Sequence, residues 1–106
     1  MNLTDQQQAD FVALATKHQA QMIRCNQQQN LLIEQYFSPL TNPNIVINSD
    51  SLLGAIETIE EQKVKITYQH FEEVKNILQE HQYAFFEDFV QQSMNVILQR
   101  HKKKKH

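Results

Sequence analysis

The chain has 106 residues, with one glycine, two prolines, one cysteine, a hydrophobic share of 41% and a formal net charge of −2. That length suits one domain with a shallow core, and that apolar share excludes a disordered or fibrous chain. No run of about 18 apolar residues occurs, which excludes a membrane-spanning helix within the sequence, and a lone cysteine excludes an internal disulfide.

The charge is unevenly placed. Residues 1–99 hold twelve acids and five bases, whereas Arg100, Lys102, Lys103, Lys104 and Lys105 follow as a basic end. The reading is one helical domain over residues 1–101 and a basic tail over 102–106. Scarce glycine and proline beside abundant glutamine predict long helices.

The first helix opens at Thr4, a good N-cap, and Gln7 three residues later completes a capping box. Its stripe runs Phe11, Leu14/Ala15, His18, Met22, Cys25, Gln29, Leu32/Ile33 and Tyr36. Steps of three and four over this length predict one long amphipathic helix ending near Phe37. The short apolar stretch 11–15 lies inside that pattern and does not read as a signal peptide. Both prolines fall in residues 38–44, where they predict an irregular link. The segment Ile45-Val46-Ile47 has no second strand to pair with and reads as an apolar plug over the end of a helix pair.

Ser49 or Asp50 opens the second helix. Its stripe is Leu52/Leu53, Ile56, Ile59, Val64, Ile66/Thr67, His70/Phe71, Val74 and Ile77/Leu78. A third helix begins around residues 78–82 and carries Phe85/Phe86, Phe89/Val90, Ser93/Met94 and Ile97/Leu98 inward. The fold class is therefore all-α: a long antiparallel helical hairpin plus a third, shorter helix. Helices of this length leave apolar surface uncovered, and a homodimer is the simplest closed solution.

The two helix-opening phrases carry a resemblance. Leu3-Thr4-Asp5-Gln6-Gln7 fits the Leu-Thr-x-x-Gln signature of the LTXXQ (Spy/CpxP-like) family of bacterial periplasmic stress proteins, which carries it twice. Leu78-Gln79-Glu80-His81-Gln82 resembles the second copy, with Gln79 where threonine is usual. Residues 47–78 are also similar to the heavy-metal-resistance branch with its CnrX-like periplasmic sensors, notably at His70-Phe71-Glu72-Glu73-Val74. The resemblance spans residues 3 to about 100. It implies a helical hairpin, a dimer, a periplasmic location, and a signal peptide or membrane anchor upstream of Met1. It further implies a non-enzymatic role in envelope stress or metal response, exercised on a partner or client protein of the cell envelope.

The family's own metal ligands do not carry over. Val74 stands at the methionine position, Ala15-Thr16 at the glutamate, and only Met1 and Asn2 precede Leu3; His70 alone remains. An acidic body also departs from the basic face expected of a Spy-like holdase.

A separate candidate arises from the residues themselves. His18, Met22 and Cys25 lie along one stripe, and a hairpin in which residue 37 faces residue 50 brings His18 level with His70. Imidazole and thioether would suit Ni, Co, Cu or Zn, so His18, Met22 and His70 form a candidate metal site; the competing reading is plain core. No cofactor is required by the sequence. Adjacent acids such as Glu72/Glu73 point about 100° apart on a helix and read as a solvated face rather than a dyad. No phosphate loop, nucleophile triad or zinc pattern occurs, so no enzyme is expected. The tail reads as a solubilising segment or a lipid-touching one; without interleaved aromatics it is not expected to bind nucleic acid.

The function expected is thus a sensor or adaptor of stress or metal response. An ATP-independent holdase, or a plain helical dimerisation module with a lipid-touching tail, are the alternatives.

Overall fold

A computed structural model describes residues 3–104, with side chains as far as Ile97. Three α-helices, α1 (Asp5–Thr41), α2 (Ser49–Asn76) and α3 (Tyr83–Lys104), are joined by a link at 42–48 and a 3₁₀ turn at Glu80–Gln82. No strand occurs among the described residues, and the protein is all-α. None of these helices is long and apolar enough to cross a membrane.

The described residues gather into two compact units, one formed by Ala15–His70 and the other by residues 3–14 with residues 71–104. In the first, α1 and α2 pack antiparallel: Gln29 reaches Ile56 and Glu60, while His18 reaches Thr67. Cys25 and Ile59 are its buried apolar side chains. In the second, Phe89 of α3 meets Phe11 and Phe71 edge-to-face, each at 5.5 Å between centroids. Such T-shaped contacts set the positive ring edge of one aromatic against the negative face of the next. Val74 is fully buried there, with Leu78 buried as well, and Lys75 places its ammonium 5.3 Å from the centre of the Tyr83 ring.

Four sequence expectations need correction. The first helix continues to Thr41 with Pro39 inside its last turns. Pro39 has no N–H for the carbonyl of Gln35, and the Ser38 hydroxyl donates to that oxygen instead, at 2.6 Å. One side-chain bond thus replaces the missing rung and lets the helix pass the proline. The second helix opens at Ser49 as expected, and Asn48 Oδ1 just before it accepts from the Ser51 amide at 3.0 Å.

Ile45-Val46-Ile47 is no plug, for Ile45 is exposed and Val46 is 93% exposed. Val64 is exposed too, and Lys63 takes the inward place. The lysine stem covers apolar surface while its ammonium finds acceptors: Gln29 Oε1 and Glu60 Oε1, both at 3.0 Å.

Backbone helix extends through Lys104, three residues into the stretch read as a tail. The side chains of Arg100, Lys102, Lys103 and Lys104, and all of Lys105, lie outside the described residues.

Candidate functional site

At the start of α1 the expected capping box is closed in both directions. Gln7 N donates to Thr4 Oγ1 at 3.0 Å, and Thr4 N donates to Gln7 Oε1 at 3.0 Å. Two amides that a helix start leaves without partners are thereby satisfied. The second phrase repeats this device without a threonine. Gln79 is extended (φ −89°, ψ 160°), its N–H donates to Gln82 Oε1 at 2.9 Å, and Gln82 N donates to the Gln79 carbonyl at 2.9 Å. Leu78, just before it, is buried and Leu3 is half-buried.

The two boxes are joined to each other. Gln7 Nε2 donates to Gln82 Oε1 at 2.7 Å, and Gln82 Nε2 donates back to Gln7 Oε1 at 3.0 Å. Gln7 Nε2 also donates to the Ile77 carbonyl at 3.0 Å. Every donor and acceptor of the Gln7 carboxamide is therefore used: two N–H bonds given, two accepted at the oxygen. Both side chains are buried, Gln7 at 8% exposure and Gln82 at 3%. Glutamate would fail in either place, because an ionised carboxylate only accepts, and Gln7 Nε2 faces two acceptors. Periodicity and capping rules located these glutamines but not their pairing; the only signal was the same phrase occurring twice.

The histidine candidate lies within the Ala15–His70 unit. His18 and His70 stack with 4.6 Å between ring centroids and 13° between planes, as the expected hairpin register required. Thr67 Oγ1 donates to the Lys63 carbonyl at 2.9 Å and stands 3.0 Å from His18 Nε2. When the hydroxyl gives its proton to Lys63, it can accept from His18 only in the Nε2–H form of that ring. Met22 Sδ is 4.0 Å from the same hydroxyl. Burial lowers the His18 pKa from 6.5, which favours a neutral ring.

Imidazole lone pairs lie in the ring plane. Two nearly parallel stacked rings aim them side by side, so chelation of one ion by His18 and His70 would require a ring to rotate. No group of three or more His, Cys, Asp or Glu that could hold a metal occurs among the described residues. Cys25 is buried on the same stripe as part of the core.

A third polar cluster went unforeseen. Gln29, buried on the apolar stripe, donates to Glu60 Oε1 at 2.9 Å and to the Ile56 carbonyl at 3.3 Å, and accepts from Lys63. It fixes the register of α1 against α2 in a unit with few buried apolar side chains. No protein-family model matches the chain, and searches of the curated proteins and of the solved structures return no significant match.

Proposed function

We propose that this protein is a non-enzymatic, periplasmic stress- or metal-response protein of LTXXQ type, dimeric, acting as a sensor or adaptor by binding a partner protein of the cell envelope. The observation that supports this reading is the reciprocal Gln7–Gln82 pair. It supplies a physical reason for glutamine at the fifth place of both phrases, the feature on which the resemblance rests. A helical scaffold stapled at its helix starts presents side-chain surfaces to a partner and needs no catalytic group.

Fractionation of cells of the source organism, with antibody against the chain, tests the reading. Release with the periplasmic or membrane-anchored pool is expected, together with sensitivity of a deletion strain to envelope stress or to nickel, cobalt, copper or zinc. Recovery with the cytosolic pool would overturn it.

The holdase reading is kept second because residues 1–99 are strongly acidic, whereas a Spy-like holdase is expected to present a basic face. Aggregation of a reduced client at equimolar ratio discriminates: strong suppression that added salt abolishes would favour the holdase.

A further inference from the structure

The Ala15–His70 unit ends in an uncharged apolar tip. No charged residue occurs between Glu34 and Asp50. Over that tip Phe37 is 53% exposed, Leu40 81% and Val46 93%, with Ile33, Ile45 and Leu53 also exposed.

Ile33, Phe37 and Leu40 stand at i, i+4 and i+7 on α1, the spacing of a seam that packs against another helix. An apolar seam left open in water is costly to maintain and ordinarily meets a partner.

From this placement we infer that the tip is a self-association surface, on which α1 of a second copy of this chain packs antiparallel about a two-fold axis close to Phe37. The inference rests on the dimeric reading above and assigns where the copies meet. Two observations favour a second copy as the occupant.

The seam is self-complementary. Read in reverse, its steps of four and three become three and four, so an antiparallel copy brings Ile33 level with the partner's Leu40 to within about one residue. Such a contact is isologous and closes on itself.

Charge points the same way. Copies that each carry twelve acids against five bases over residues 1–99 repel wherever charged faces meet, and the uncharged tip lets them approach without that cost.

The test uses the full chain at micromolar concentration, with mass from light scattering and folding from helical circular dichroism. The wild type is expected at twice 12.5 kDa, and Phe37→Glu and Leu40→Asp should each raise the dimer dissociation constant at least tenfold while helicity is kept. Ile23→Asp, an exposed position elsewhere on α1, should leave it unchanged. Phe37→Cys under mild oxidation should give a disulfide-linked dimer, whereas Ile23→Cys should not.

Dimers that ignore the tip substitutions and fail to cross-link at residue 37 would overturn the seam while leaving the dimer standing. A wild type found at one chain mass would overturn both. A monomer that floats with phosphatidylcholine vesicles through the same tip residues would give the surface to lipid instead.

Discussion

Gln7 and Gln82 exchange two hydrogen bonds through their side-chain carboxamides, at 2.7 and 3.0 Å, across 75 residues of sequence. Each glutamine also accepts a backbone amide within its own helix-opening phrase, from Thr4 and Gln79 respectively. Two local capping devices are thereby converted into one long-range tie. Gln7→Glu should cost about 2–3 kcal/mol at neutral pH, the scale for a buried polar group set against like acceptors. The sign with pH follows from the carboxyl. Its folded-state pKa would be raised, so the deficit should shrink as pH falls through that raised value, where the neutral acid again offers a proton, and level off below the free value of about 4.3. Urea unfolding at pH 7 and pH 3.5, each compared with wild type, reads both effects.

The two helix starts should respond differently to threonine. Thr4→Ala removes the hydroxyl that accepts from Gln7 N and should cost about 1 kcal/mol. Gln79 already has the extended backbone of an N-cap, so Gln79→Thr should be neutral or stabilising, by up to about 1 kcal/mol. Urea midpoints of the two variants give the comparison.

Much of this architecture was legible in the sequence, for identifiable reasons. Apolar steps of three and four located the three helices, and the hairpin register implied by residues 37 and 50 brought His18 to His70. What escaped were places where a side chain replaces a rule. Pro39 reads as a helix stop, but the Ser38 hydroxyl serves the Gln35 carbonyl in its stead. Val64 reads as core, but Lys63 can bury its stem and still satisfy its charge on Gln29 and Glu60. The tie between Gln7 and Gln82 is a tertiary relation that no local pattern encodes.

The Lys63 substitution for Val64 on the inner face carries its own prediction. Lys63→Ala removes the ammonium shared by Gln29 and Glu60 and should cost about 1 kcal/mol, a charged hydrogen bond discounted for partial exposure. Val64→Lys should fall within about 0.5 kcal/mol of wild type, as exposed positions do. Thermal melts suffice, and the reverse ranking would restore Val64 to the core.

Stability should decline in mild acid through the histidine stack. Burial lowers the His18 pKa from 6.5, so below pH 6.5 the unfolded chain takes up a proton that the folded chain resists. Stability is fully present above that pH and is lost as pH falls toward the folded-state pKa, levelling below it. His18→Phe keeps a ring in the stack and should flatten this part of the profile. Urea midpoints between pH 8 and pH 5 measure the slope.

The tie between the helix starts is tested most directly by a double-mutant cycle on Gln7→Met and Gln82→Met, followed by urea unfolding. Each single change strands a buried carboxamide, so each should cost about 2 kcal/mol, while the double change strands neither across the pair. The double mutant should therefore lose at least about 1 kcal/mol less than the two singles together. Additivity to within about 0.5 kcal/mol would contradict the tie, and with it the observation on which the LTXXQ reading rests.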